Sequence, residues 1–274
     1  MAKSTAVAKV EKDENAVVVL PDFAREDAGL GMEGVDRSSA SIPRISLMHP
    51  TSVPVENGES KAGHFYHKEL GDLGDEIVVV PVYAETGWTL WDPSGNGAPL
   101  ARGRRNDKGI WVWDPANTKF EVMVDGKKQV WDTKGSIAES KLTHWPKGNP
   151  PPPGKETLNF LFVLPEVGPH AFGVFTFSKS AFPTGGKLRD NIAFRGAGGP
   201  SFALKYRITA TSTTSKAGKK HLVPAFSFVG VNDDFELYTA CKSIHSRVRD
   251  TGLYSMADDS DHGEGDDAVT TTEY

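Results

Sequence analysis

The sequence predicts a mainly β protein with few helices. Its longest apolar runs, residues 77–80 and 160–164, have the length of strands and not of helices. The 28 glycines and 18 prolines favour turns and are poorly tolerated inside helices. Asp125-Gly126, between two apolar stretches, is typical of a hairpin turn. We therefore expect one β-rich folded domain over residues 37–250.

Strands are predicted throughout this domain from apolar runs and from alternation of apolar and polar residues. In chain order they are 77–83, 88–91, 108–113, 119–124, 158–164, 171–177, 202–213 and 221–229. Pro81 cannot donate a ladder hydrogen bond, so we place it at an edge or a bulge. The last two strands are expected to pair as an antiparallel hairpin.

One helix is predicted over residues 233–249. Two apolar stripes fit helical spacing. One runs through Phe235, Tyr238, Cys241 or Lys242, His245 and Val248, and the other through Leu237, Cys241, Ile244 and Val248. Asn232 or Asp233 can cap the start and Gly252 the end.

The net charge of −5 conceals an uneven distribution. Residues 1–36 predict a flexible acidic arm, and residues 251–274 a disordered acidic tail. Between these ends, residues 37–249 carry 27 basic and 20 acidic side chains, a net charge of +7. A basic domain suits a polyanionic partner, although many other proteins share this feature. The tail carboxylates expected to compete with nucleic acid, or to bind replication and recombination proteins, are Asp258, Asp259, Asp261, Glu264, Asp266 and Asp267.

No catalytic motif is recognisable in the sequence. The only cysteine, Cys241, excludes an intrachain disulfide and a multi-cysteine zinc site. His64 and His67 are three residues apart, but no metal-binding carboxylate motif accompanies them. No apolar stretch has the length of a membrane span, and the first residues lack the features of a secretory signal. We expect a cytoplasmic, non-enzymatic protein without metal or cofactor and without a membrane partner.

All six tryptophans lie between residues 88 and 145, interleaved with basic residues. A single-stranded nucleic-acid binder needs this combination, because indole rings stack on bases and cations contact phosphates. In Trp111-Val112-Trp113, strand alternation places both rings on one face. The alternative is that the rings form the core of the β structure. The predicted nucleic-acid-binding residues here are Trp88, Trp91, Arg102, Arg104, Arg105, Lys108, Trp111 and Trp113.

The predicted hairpin of residues 202–229 offers a second basic surface. Lys205 and Arg207 alternate with apolar residues, so they should face away from the core. Lys219 and Lys220 follow at the hairpin turn. We predict phosphate contacts for these four side chains, with a solvated strand face as the alternative.

Four segments carry a resemblance to a known family: Ile-Pro-Arg-Ile-Ser-Leu at 42–47, Ala-Gly-His-Phe at 62–65, the apolar run at 77–82 and the hairpin at 206–228. They resemble a bacteriophage-encoded family of single-stranded-DNA-binding proteins over about residues 40–230. The resemblance implies an OB-like antiparallel barrel, here with inserted loops and hairpins and one C-terminal helix, and an acidic tail.

Relatives in that family carry cysteines near the position of Trp145. Ser136, Ser140 and Gly154 occupy this region here, so a zinc ribbon is not supported for this chain.

The leading functional hypothesis is therefore sequence-tolerant binding of single-stranded DNA in phage replication or recombination. A phage structural or adaptor protein without enzymatic activity is the main alternative, because flexible arms and Gly/Pro-rich β structure suit virions. A carbohydrate-binding module also uses exposed tryptophans. The clustered arginines and lysines disfavour neutral glycans, and the cytosolic character of the sequence disfavours a secreted module.

Overall fold

A computed structural model of the chain describes residues 42–93, 99–106, 108–124, 126–144, 152–214, 218, 220–251 and 253. Strand accounts for 48% and helix for 21% of the structure, which confirms the mainly β class. The strands are β1 (Arg44–Leu47), β2 (Phe65–His67), β3 (Gly71–Gly74), β4 (Glu76–Trp91), β5 (Pro99–Arg105), β6 (Trp111–Asp114), β7 (Lys119–Val124), β8 (Lys127–Asp132), β9 (Gly154–Val163), β10 (Phe172–Phe177), β11 (Leu204–Thr214) and β12 (Lys220–Val231). The helices are α1 (Val53–Glu56), α2 (Phe182–Gly196) and α3 (Phe235–Thr251), with 3-10 turns at Lys179–Ala181 and Ser201–Ala203.

Ten strands form one mixed sheet in the order β12-β11-β4-β9-β10-β1-β2-β3, with β5 bonded to β4 and β6 bonded to β5. β1 and β10 run parallel, with Arg44 opposite Val174. β7 and β8 form a separate two-stranded hairpin.

Within the described residues this sheet does not close into a barrel, which differs from the OB-like expectation. β12 approaches β1 through side chains, since Leu222 and Pro224 line a cavity together with Ile45. Backbone hydrogen bonds between these two strands are absent from the sheet order. The sheet is therefore curved but open.

The 16-residue strand β4 joins two segments that the sequence predicted as separate strands. Its first part pairs with β11, residues 80–90 pair with β9, and its last three residues pair with β5 on the other side. The register against β9 shifts between Pro81 and Tyr83, so the predicted bulge at Pro81 is confirmed.

Three apolar clusters stabilise the protein. The first lies on one face of the sheet against α2 and contains five phenylalanines, of which Phe175 and Phe177 have ring centroids 4.8 Å apart. The second lies between the other face and α3. The third joins the end of β4 to β5–β8 and includes Trp113 and Trp131.

Helix α3 is present where the sequence predicted it. Asp234 caps it, because its Oδ1 accepts hydrogen bonds from the backbone N–H groups of Glu236 and Leu237. Phe235 is 84% exposed, so the stripe that begins there does not face the core. The buried stripe is the second alternative, made of Leu237, Cys241, Ile244 and Val248.

Helix α2 was not predicted, because Gly185 and Gly186 have low helix propensity. Gly185 is required by packing, since a Cβ atom there would lie 2.7 Å from Cβ and Cγ of Phe177. Nothing lies within 4 Å of the position of a Cβ atom on Gly186. The helix thus docks on the first cluster through a glycine.

His67 is a buried polar residue that connects three parts of the sheet. Its Nε2 lies 3.1 Å from the carbonyl oxygen of Phe172, and its Nδ1 lies within reach of the backbone N–H groups of Glu69 and Leu70. Since these N–H groups only donate, Nδ1 must accept, which fixes the neutral tautomer with the proton on Nε2. Burial, the largest cause, lowers the pKa of His67.

We expect Gly185→Ala to destabilise the protein by about 1–3 kcal/mol through overpacking against Phe177. Gly186→Ala, one residue further along α2, should instead stabilise it by about 0.5–1 kcal/mol, because alanine has the higher helix propensity. Urea unfolding of the two variants beside the wild type measures both effects. Equal free energies of unfolding for the two variants would contradict the packing role of Gly185.

We expect His67 to stay neutral in the folded protein while it protonates in the unfolded chain below a pH of about 6.5. The unfolded state then binds more protons, so the free energy of unfolding falls as pH drops through this range. The variant His67→Gln should show a shallower decline between about pH 6.5 and 5. Histidine NMR titration provides the direct check, and an ordinary pKa for His67 would contradict the assignment.

Candidate nucleic-acid interface

Two basic residues flank the end of β4, one on each neighbouring strand. Thr89 lies opposite Arg102 of β5 and opposite Lys155 of β9. Residues directly opposite each other in antiparallel strands share a face, so these three form a row across the sheet. Trp91 follows Thr89 by two residues and lines the same cavity as Thr89 and Arg102.

This cavity has a volume of about 90 Å³. It lies where β1 diverges from β10, and β4, β5, β12 and the 3-10 turn after β10 contribute the remaining walls. Among the described residues that line it are two arginines and one histidine, and none of the lining residues is acidic. The lining includes Arg44, Thr89, Trp91, Arg102, Ser178 and Ser180.

Lys179 stands beside the cavity in a strained backbone conformation. Its φ of 46° lies in the left-handed region, which residues other than glycine seldom adopt. This conformation places the Lys179 Nζ 4.1 Å from the centroid of the Trp91 ring, a cation–π contact. Such strain is characteristic of functional sites.

Lys155 brings a further positive charge to the same place. It is half-buried, and burial is the largest cause that lowers its pKa, followed by the charge of Lys179. Two ammonium groups that raise each other's electrostatic energy favour an anion between or beside them. The end of β4 is therefore suited to bind negative charge.

Trp111 and Trp113 share one strand face as predicted, but that face packs into the third cluster. Trp113 is 0% exposed, and its Nε1 donates a hydrogen bond to Ser140 Oγ at 3.0 Å. The prediction that Trp113 stacks on bases is therefore corrected, because Ile137 and the rest of the cluster cover its ring. Trp111 is half-buried, with the Arg105 guanidinium carbon 5.1 Å from its ring centroid.

The other predicted residues of this region lie apart from the cavity lining. Trp88 is half-buried and packs against the third cluster. Arg104 is exposed and forms an ion pair with Asp114, with 3.3 Å between Nε and Oδ2. Lys108 is exposed in the turn between β5 and β6.

The predicted alternation of buried and outward-facing residues in the hairpin is confirmed. Its basic residues do not form one cluster, because each lies beside a different part of the protein. Lys205 Nζ lies 3.2 Å from an oxygen of Asp233, and Arg207 Nε lies 3.4 Å from an oxygen of Glu76. Lys220 is exposed and precedes Leu222 by two residues, which places it on the strand face that borders the cavity.

Several predicted residues fall outside the part of the chain that the structure describes. They are Lys219 and the tail residues Asp258, Asp259, Asp261, Glu264, Asp266 and Asp267.

Sequence reasoning missed Arg44, Lys155 and Lys179. Arg44 belongs to the segment 42–47 that contributed to the family resemblance, but no charge pattern singled it out. Lys155 and Lys179 are isolated lysines that only the sheet register and the turn after β10 bring together. No local signal in the sequence identifies them as one site.

The described residues contain no cluster of three or more His, Cys, Asp or Glu side chains placed to hold a metal ion. His64 Nδ1 lies 2.9 Å from Asp72 Oδ2, with Ser60 Oγ donating to the same carboxylate. Burial raises the pKa of Cys241 to about 12, which suppresses the reactive thiolate. No helix among them is both long and apolar enough to cross a membrane.

Comparison with known proteins identifies a family. Residues 12–253 match the model of a family described as Pam3 phage gp34-like protein. Neither a curated protein nor a solved structure matches the chain. The family match agrees with the phage origin that the resemblance implied, and it carries no statement about DNA. Since the match covers most of the sequence, the chain belongs to the Pam3 phage gp34-like protein family.

Proposed function

We propose that this phage protein binds single-stranded DNA without sequence preference, as a non-enzymatic component of phage DNA replication or recombination in the host cytoplasm. The observation that carries the proposal is the Trp91 ring, held under Lys179 at the edge of a cavity without acidic lining. An indole face provides a surface for a base, and nearby cations contact the flanking phosphates.

Lys179 covers the Trp91 ring, so a base must displace it. A partly exposed cation–π contact contributes about 0.5–1 kcal/mol, whereas stacking of a base contributes about 1–3 kcal/mol. The exchange is therefore favourable. Movement of the 3-10 turn also allows Lys179 to leave its left-handed conformation, and its ammonium group can then pair with a phosphate.

The recessed position of Trp91 explains a preference for single strands. The ring is half-buried, so only a base that has left its own stack can reach it. A duplex holds its bases stacked and paired, and unstacking costs a few kcal/mol. Arg44, Arg102, Lys155 and Lys220 supply phosphate contacts around this point in a sequence-independent manner.

The acidic tail is part of the same proposal. Residues 251–274 include seven acidic residues and no lysine or arginine. We propose that the tail competes with DNA for the basic domain, and that DNA binding releases it to contact replication or recombination proteins.

A phage structural or adaptor role is favoured by a different observation. Phe194 of α2 is 85% exposed and Phe235 of α3 is 84% exposed. Large exposed aromatic residues of this kind suit contacts with other proteins in an assembly. The DNA-binding measurements below decide between the two roles.

We expect the protein to bind an oligo-dT strand more tightly than a duplex of equal charge, and Trp91→Ala to weaken binding to the single strand by about 1–3 kcal/mol. Fluorescence anisotropy with labelled oligonucleotides measures both. Trp91→Phe should retain part of the affinity, since a phenyl ring still stacks. Thermal melting of each variant separates lost binding from lost folding. Equal affinity for duplex and single strand would contradict the proposal and favour the structural role.

We expect the affinity for oligo-dT to fall with salt, with a slope of log K against log salt of about −0.7 for each neutralised phosphate. Arg102→Gln should reduce the magnitude of this slope by about 0.7 if its guanidinium contacts one phosphate. Lys127→Gln is the matched control, because Lys127 is an exposed lysine on the separate β7–β8 hairpin. Identical slopes for the two variants would place Arg102 outside the DNA interface.

A further inference from the structure

The cavity beside Trp91 has the lining of an oxyanion site. Arg44 and Arg102 contribute guanidinium groups, which pair with phosphate through two parallel hydrogen bonds. Ser178 and Ser180 add hydroxyl donors. The absence of acidic residues from the described lining means that nothing there repels an anion.

One donor in the lining has no partner within the described residues. The Trp91 Nε1 is buried from solvent and makes no hydrogen bond there. A buried donor left without a partner costs about 1–3 kcal/mol. The Nε1 is shielded from solvent, so a ligand oxygen reaches it only when the Trp91 side chain shifts, as it would when a base displaces Lys179 from the ring face.

A polar chain behind the cavity positions Arg44. Its Nη1 lies 3.5 Å from Thr176 Oγ1, and this hydroxyl donates a 2.8 Å hydrogen bond to Oδ1 of Asn159. Asn159 is only 3% exposed, so the chain is anchored in the sheet. An arginine held in this way loses less conformational freedom when it binds an anion.

The size of the cavity restricts what can enter. A volume of about 90 Å³ has room for several water molecules, and so for a phosphate group. An internal phosphodiester carries a nucleoside on both sides and a single negative charge. A phosphate monoester has one substituent and a charge of about −1.5 to −2 at pH 7, so it enters more easily and gains more from the basic lining.

We propose that this cavity binds a terminal phosphate of a DNA strand, with the adjoining base stacked on Trp91. The inference deepens the proposed function and rests on it. Arg44, Arg102, Ser178 and Ser180 contact the phosphate oxygens, and Lys155 and Lys179 increase the positive potential near Trp91.

The test compares three oligo-dT strands of equal length in anisotropy competition: one with a 5′-phosphate, one with a 3′-phosphate and one with hydroxyl groups at both ends. We expect one phosphorylated strand to bind about tenfold more tightly than the hydroxyl strand, the effect of a charge-assisted hydrogen bond. Arg44→Gln and Arg102→Gln should remove this difference, while Lys127→Gln should keep it. Thermal melting of each variant shows that it is folded, and Arg44→Lys should restore part of the preference.

Two further ligands identify the source of the phosphate. Thymidine 5′-monophosphate should bind more tightly than inorganic phosphate in calorimetry, because only the nucleotide has a base for Trp91. Equal affinities would overturn the assignment to DNA. The end preference should also decline below about pH 6, where the monoester takes up its second proton.

The outcomes for the inference and for the proposed function are distinct. Equal binding of all three strands would overturn the terminal-phosphate site and leave single-strand binding intact. Failure of every strand to bind, with thymidine 5′-monophosphate still bound more tightly than inorganic phosphate, would overturn single-strand DNA binding and reassign the cavity to free nucleotides.

Discussion

The structure depends on the length and register of β4. This one strand contributes to all three apolar clusters, with Ile77 and Val79 in the first, Val80 and Val82 in the second and Leu90 in the third. The change of face between Val79 and Val80 is ordinary alternation along a strand. The bulge after Pro81 then lets the strand bend away while its pairing with β9 continues. Without this continuity, β5–β8 would have no fixed relation to the rest of the sheet.

The candidate site is a product of the same strand. β9 brings Lys155 to one side of Thr89 and β5 brings Arg102 to the other, so two strands that are not neighbours are joined through β4. Placing Lys155 here has an electrostatic cost. Its side chain is half-buried, and both burial and the positive charge of Lys179 lower its pKa. The two lysines together raise the positive potential at this end of β4, beside the left-handed backbone of Lys179.

The sequence predicted much of the fold because the relevant signals are local. Alternation identified β11 and β12, and helical spacing identified α3, although its cap is Asp234 and neither of the predicted Asn232 and Asp233. The sequence did not predict helix α2. The reason for a glycine at position 185 is its close contact with Phe177, which belongs to β10 and is not a local signal. The barrel was inferred from a resemblance, and whether a sheet closes depends on the approach of β12 to β1, which no local pattern records.

The site was predicted only in part for the same reason. Trp91 and Arg102 were identified from the clustering of tryptophan and arginine, and both line the cavity. The same reasoning selected Trp113, because composition does not distinguish a ring on a surface from a ring in a core. Arg44, Lys155 and Lys179 are far apart in the chain, so only the sheet register and the turn after β10 reveal that they converge.

The parallel pairing of β1 with β10 has a consequence for biosynthesis. Arg44 and its partner Val174 are separated by 130 positions, and Val79 of β4 and its partner Tyr206 are separated by 127. During translation the first strands of the sheet therefore emerge well before the strands that complete it. Pairing between such distant segments is slow, and unpaired edges are prone to aggregate in the meantime. A ribosome-bound chain of this protein thus completes its central sheet only when most of the polypeptide has been made. Products truncated before β10 or β11 lack strands that pair with β1 and β4.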